Sequence, residues 1–561
     1  MKKALALILA VLLVSACGQT QRQTATPAPQ TPGAAKENVT IAKDGVTEFY
    51  TTGLPIVDPG TVTVSIMANT TAADPNTFPM VQRYTEDTGI DFEWITVSGD
   101  AVNERKGIMW ASGEYPHILG PSVPSEADIS TYGPQGIIIA LNEYIDKYLV
   151  SMKENIGGAD VWEATWSKLK YPDGSIYTYP TITDYFYTDS TVPTINMTWL
   201  DALGLSVPET PDEFVEVLKA FKTQDPNGNG LDDEIPLVAV HWKGIGDLYA
   251  VAGWTGALTT IRYIENGEMV WPFIGEETRE AAKWLNMLWN ERLIDFEQFT
   301  TDENDKKAKA QAETLVYGAA VMWREGNFFG ETNAVNYYPM KPLKAADGSR
   351  RWYGTHDLNL VMNQWVVTSS CPYPEIVARF VDYLYIPEIT IQSDHAPLEI
   401  GYDLMEDGTW KRKTPEGFAT VGEFFIDNHF QQVPRLAIGK YISINWQDPE
   451  RENNIARAFA EGRLFDGNTV IPQKNIHDLV LHDYIITPPP PIKPTPEETE
   501  IVNMYSADFN RYIGEALSQF VTGDLNTDAD WDRYVEQVKR LGYDELFNVY
   551  KGQYERYLSF N

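Results

Sequence analysis

From Thr61 the chain alternates polar and apolar side chains, with Thr61, Thr63 and Ser65 interleaved with Val62, Val64 and Ile66. A period of two predicts a strand with one face buried. After the turn-rich stretch ANTTAADPN, the segment FPMVQRYTEDTG takes up a helical period and stops at Gly89. IDFEWITV, residues 90–97, returns to a strand, NERKGIMWASGEYP predicts a second helix, and HILG a third strand. Strand and helix in alternation make βαβ units, hence an α/β fold with a largely parallel sheet. Ligands of such sheets sit at the carboxyl ends of the strands, which points to the loops after Met67 and Leu119.

The clearest helix spans Pro211 to Lys222. Thr210 and Glu213 can each accept from an amide that the helix leaves unpaired, and Pro211 has no amide to satisfy. Phe214, Val217, Leu218 and Phe221 stand at i, i+3, i+4 and i+7 and form its core face. Further helices are predicted in EETREAAKWLNMLWNERL, in PEIVARFVDYLY and from Asp528 onward. Pro488 to Pro491 predict an extended surface connection. No internal repeat is present.

Length turns one domain into two lobes, because 561 residues exceed what one hydrophobic core organises. With 43% hydrophobic and 22% charged residues the body has the proportions of a soluble globular protein. Asp and Glu number 79 against 44 Lys and Arg, a net charge of −35. The clustered cations that neutralise a polyanion are lacking, so nucleic acid is not a partner. Such an acidic surface suits an extracellular protein with a bound cation. Of 2 cysteines, Cys17 closes the leader and Cys371 is alone in the body, so no internal disulfide is available.

Residues 1–17 read MKKALALILAVLLVSAC. Lys2 and Lys3 precede an apolar run, Ala4 to Leu13, that is too short for a comfortable membrane span. Val14-Ser15-Ala16-Cys17 resembles the lipobox of bacterial lipoproteins, which implies cleavage before Cys17 and acylation of its thiol and new amine. Residues 18–60, rich in Gln, Thr, Pro and Ala at their start, read as a flexible stalk. The expectation is a body on the outer face of the cell membrane, held by lipid alone.

Following the capped helix, Asp225-Pro226-Asn227-Gly228-Asn229-Gly230-Leu231-Asp232-Asp233-Glu234 places oxygen donors at alternate positions with Gly at the sixth. That is the EF-hand order, and calcium needs six to eight oxygens. The expected ligands are the side chains of Asp225, Asn227, Asn229, Asp233 and Glu234 and the carbonyl of Leu231. Pro236 occupies the twelfth position, where an EF-hand has its bidentate glutamate, so Glu234 must supply that carboxylate. No acid–base pair adjoins the loop, and the Ca2+ is expected to be structural.

Ile195 to Leu237, INMTWLDALGLSVPETPDEFVEVLKAFKTQDPNGNGLDDEIPL, resembles the extracellular solute-binding proteins of bacterial ABC importers, specifically the family-one lipoproteins that bind oligosaccharides. ASGEYPHIL, YGPQGIIIALNEYID, DGSIYTYP and the C-terminal FVTGDLNTDADWDRYVEQVKRLGYDELFNVYKGQYERY are similar to other landmarks of that family. The resemblance implies a periplasmic-binding-protein-like fold, in which hinge strands join two α/β lobes around a ligand cleft. It places residues 61–190 plus roughly 355–430 in lobe 1, and 191–354 plus roughly 431–561, with the calcium loop, in lobe 2. His395 to Trp410 departs from the family's Gly- and acid-rich loop. The implied partners are a carbohydrate, captured by a monomer, and the permease subunits of an ABC transporter.

Sugars offer flat CH faces ringed by hydroxyls, which proteins meet with aromatic rings and polar side chains. Among 16 Trp and 30 Tyr, the candidates at breaks in periodicity are Trp242, Trp254, Trp323 with Arg324, Trp352, Tyr353 and Tyr185. Two other classes compete: a surface polysaccharide-degrading enzyme, and a sensor presenting sugar to a membrane receptor. No HExxH, GxSxG or phosphate loop supports an enzyme.

Overall fold

The computed structural model describes residues 38–560 apart from 71–73, 100, 121–122, 156–158, 184–190, 241–244, 258–261, 323–324, 335, 354–358, 396–399, 401, 405–409, 413–415, 418–479, 487 and 490–491. Cys17 and residues 18–37 therefore lie outside the described residues. Among those described, no helix is long and apolar enough to cross a membrane.

Order begins before Val62. Strands β1 (Val39–Ile41) and β2 (Glu48–Tyr50) form an antiparallel hairpin. Phe49, Ile56 and Val57 are buried in the first core. Arg379 of the helix Pro374–Leu384 donates to the carbonyls of Tyr50 (3.3 Å) and Gly53 (2.7 Å). The expectation of a stalk through residue 60 is thus corrected: residues 38–60 belong to the folded body. Two three-residue strands leave too short a pattern to read, and contacts distant in sequence dock them on the first core.

The first sheet runs β4-β3-β5-β14-β6, comprising β3 (Val62–Asn69), β4 (Ile90–Val97), β5 (Ile118–Leu119), β6 (Tyr179–Thr183) and β14 (Asn359–Val367). The parallel part is β4-β3-β5, linked by helices α1 (Pro79–Thr88) and α2 (Ala101–Ser112), as the alternation predicts. β14 then joins antiparallel to both β5 and β6, so the sheet is mixed. Gly89 ends α1 at φ 76, and Val57 O would lie 2.1 Å from a Cβ there. Both the left-handed turn and the close backbone therefore require glycine.

The second sheet runs β12-β7-β11-β8: β7 (Val192–Asn196), β8 (Ile235–Ala239), β11 (Tyr317–Met322) and β12 (Tyr337–Pro339). β8 and β11 are parallel; β7 is antiparallel to β11 and β12. Between β8 and β11 lies the small hairpin β9 (Tyr263–Glu265) and β10 (Glu268–Val270). β13 (Trp352–Tyr353) pairs with Ile485–Ile486. One large core draws on residues 42–179 and 365–389, and the other on 192–353 and 480–546. The two sheets and two cores define two lobes. The second core includes three C-terminal helices, Pro496–Thr522, Trp531–Arg540 and Tyr543–Phe560. The first of these carries at Thr495, Pro496 and Glu498 the capping signature already seen at Thr210, Pro211 and Glu213.

Candidate ligand cleft and metal loop

The metal loop grows from a helix whose sequence dictates its geometry. Thr210 accepts from Glu213 N, Glu213 reaches back to Thr210 N, and Phe214, Val217, Leu218 and Phe221 are buried. The helix ends at Thr223, and Asp225 turns the chain at φ 47. Gly228 (φ 70) and Gly230 (φ 76) continue the reversal. Asp225 accepts from Asn229 N at 3.1 Å and Gly230 N at 3.0 Å. Asn227 Oδ1 accepts from Asn229 N (3.0 Å), and Asn229 Oδ1 from Leu231 N (2.7 Å). These are the side-chain-to-backbone turns that Asp and Asn favour.

Both asparagine amides donate to Asp233, Nδ2 of Asn227 at 3.0 Å and of Asn229 at 2.9 Å. Glu234 Oε1 is buried without a hydrogen-bond partner. Burial, then the negative charges of Asp233 and Asp225, raise the Glu234 pKa above its ordinary value. An orphaned carboxylate oxygen beside two more carboxylates calls for a cation. Each amide can turn its oxygen to where its NH2 now lies, since its two ends have nearly the same shape. Leu231 keeps its side chain in solvent. Among the described residues no three His, Cys, Asp or Glu side chains form a ready-made metal cage. The set expected from the sequence, three carboxylates, two amides and one carbonyl, consists of hard oxygens of the kind that suit calcium.

The ligand candidates divide. Trp242, Trp323, Arg324 and Tyr185 lie outside the described residues. By position in the chain they follow β8, β11 and β6, and β8 and β11, being parallel, end at the same edge. Trp352 and Tyr353 are core: pairing with Ile485–Ile486 leaves them 1% and 3% exposed. Trp352 Nε1 donates to Thr191 O at 2.8 Å. The Tyr353 hydroxyl meets Thr191 Oγ1 and donates to Asp247 Oδ1 at 2.7 Å. Burial and the Asp247 charge push that hydroxyl far above the ordinary tyrosine pKa. Their reading as exposed stacking faces is therefore corrected to a buried wall. Trp254 stands beyond the helix Ile245–Val251, at the end away from β8, and packs edge-to-face on Trp284 (5.9 Å). Its position favours packing between helices over a place at the strand ends.

Sequence reasoning missed Thr191 and Asp247, which tie the start of β7 to β13 with no exposed atom to mark them. Nothing local distinguishes a buried Asp in a short helix. Only the chain positions brought together by folding do so.

Two mixed sheets, each with its own core, define a two-lobed solute-binding fold. No protein-family model matches the chain. It is 24% identical over 504 residues to the fructooligosaccharide ABC transporter substrate-binding protein FusA of Streptococcus pneumoniae serotype 4, covering 86% of this chain and 88% of that one. It is 30% identical over 247 residues to lipoprotein LipO of Bacillus subtilis, covering 42% of this chain and 46% of LipO. The solved structure of S. pneumoniae FusA with kestose superposes with a TM-score of 0.72 at 22% identity, spanning 89% of this chain and all of that one. An extracellular solute-binding protein of Bifidobacterium longum subsp. infantis superposes at 0.71 with 20% identity, over 90% of this chain and 100% of its own. A further FusA structure, with fructo-nystose, is of an EF-hand mutant. Over most of its length the chain is thus similar to substrate-binding proteins of ABC importers, and it shares their two-lobed fold.

Proposed function

We propose that this chain captures an oligosaccharide in the cleft between its lobes and delivers it to the permease subunits of an ABC importer. The observation that carries this reading is similarity over nearly the whole of both chains to a fructooligosaccharide-binding relative. Of the described residues, those from 42 to 179 and 365 to 389 share the core assigned to lobe 1, and those from 192 to 353 and 480 to 546 the core assigned to lobe 2. Trp242, Trp323, Arg324 and Tyr185 are the residues proposed to meet the sugar, rings on its CH faces and the guanidinium on its hydroxyls. Closure follows from differential affinity: sugar that touches both lobes binds the closed state better and draws the population towards it. Binding without chemical change is the expected outcome, since the relatives are binding proteins.

Asp225, Asn227, Asn229, Asp233, Glu234 and the Leu231 carbonyl are proposed to hold structural calcium. When bound, the ion neutralises three crowded carboxylates. The residues themselves fix the exit of the helix Pro211–Thr223 into β8, and so the strand end that Trp242 follows. Cys17 is proposed as the lipid anchor that keeps a monomeric body outside the cell near its permease. The reading is tested by screening oligosaccharides for a thermal shift and recovering the bound sugar. A saccharide that stabilises the protein and returns intact supports it; cleavage of the sugar rejects it in favour of an enzyme.

A further inference from the structure

Lys493 is charged yet fully buried, its side chain 0% exposed. Its ammonium lies 2.8 Å from Glu126 Oε2 and 5.2 Å from the centre of the Tyr171 ring. Tyr171, itself buried, donates its hydroxyl to Glu126 Oε1 at 2.5 Å. Burial lowers the Lys493 pKa, and Glu126 works against that shift.

Each end of this pair is fixed to a different lobe. Glu126 opens helix α3 (Glu126–Tyr132), capped by Ser125 and Asp128. Asp128 also holds α2 through Lys106 Nζ at 2.6 Å and Trp110 Nε1 at 3.1 Å. On the other side, Arg556 donates to the Lys493 carbonyl at 3.0 Å and grips Glu498 at 2.9 and 2.8 Å. Glu498 in turn caps the helix Pro496–Thr522. The pair thus joins the α2–α3 layer of lobe 1 to the C-terminal helices of lobe 2.

We propose that Glu126 and Lys493, with Tyr171, form an interlobe pin that sets where one lobe stands on the other and about which the lobes turn. Breaking an ion pair whose ammonium is buried costs more than rotation about a contact that stays made. The pin goes beyond ligand capture and is independent of which sugar binds.

The test uses the full chain in mild detergent without sugar. Spin labels go on cysteines introduced at exposed Glu143 in lobe 1 and Asp212 in lobe 2. Cys371, being buried, stays unlabelled. Pulsed EPR distances are compared for the native pair, Glu126→Gln, Lys493→Met and the double variant. Expected is at least a twofold broadening of the interlobe distances in each variant, with labels at Asp212 and Glu268, both in lobe 2, unchanged. The double variant should recover part of the melting temperature lost in Glu126→Gln, since no buried charge is left, while its interlobe distances stay broad. Interlobe distances that stay narrow in both single variants would overturn the pin. So would a double variant that recovers both temperature and narrow distances, because the pair would then be core packing only.

Discussion

Glu234 shows how much one atom can say. Its Oε1 is buried and unpartnered, and its pKa is raised by burial and by Asp233 and Asp225. A carboxyl whose folded pKa lies above its unfolded value contributes stability below the unfolded value and loses it as pH rises through the folded one. Metal-free protein should therefore lose stability as pH rises above the ordinary glutamate range, and Glu234→Gln should flatten that loss. Thermal melts after metal removal check this. In the native protein calcium should raise the melting temperature at neutral pH, and Glu234→Gln should reduce that rise; equal rises in both would remove Glu234 from the ligand set. The loop was legible because a turn is local: Asp, Asn, Asn and Asp at alternate positions declare their donors in ten residues. Glu126 and Lys493 stand 367 residues apart, and no local pattern can announce such a pair.

Elements were legible in proportion to their length and caps. The helix Pro211–Thr223 has the predicted N-terminus and the predicted buried face. Removing its cap with Thr210→Ala should cost about 1 kcal/mol by chemical denaturation. Phe221→Ala should cost about 3–5 kcal/mol, because the ring is fully buried and lies where a Gly318 Cβ would come within 2.4 Å. The same contact predicts that Gly318→Ala overpacks β11 by about 1–3 kcal/mol. The N-terminal hairpin was not legible. Its value lies in Phe49, Ile56 and Val57, each burying an apolar side chain worth about 1.5–3 kcal/mol. Deleting residues 38–58 should then lower the melting temperature of lobe 1 markedly, whereas a flexible stalk could be removed without effect.

At the scale of the whole molecule, alternating strands and helices gave the α/β class and the parallel core β4-β3-β5, but not the antiparallel closure by β14 and β6. β14 arrives from residues 359–367, and pairing across that separation has no signature in the strand's own residues. The same limit applies to the cleft. Aromatic residues at breaks in periodicity included Trp352 and Tyr353, which the second lobe buries, because an aromatic run beside a loop looks alike whether it faces core or solvent. The account rests on capture of an oligosaccharide without chemistry. The most direct measurement is calorimetric titration of the calcium-loaded protein with a panel of neutral and acidic oligosaccharides, followed by mass analysis of the recovered sugar. The account predicts one-to-one binding of at least one saccharide, recovered intact. Absence of binding across the panel, or recovery of a shortened product, would contradict it.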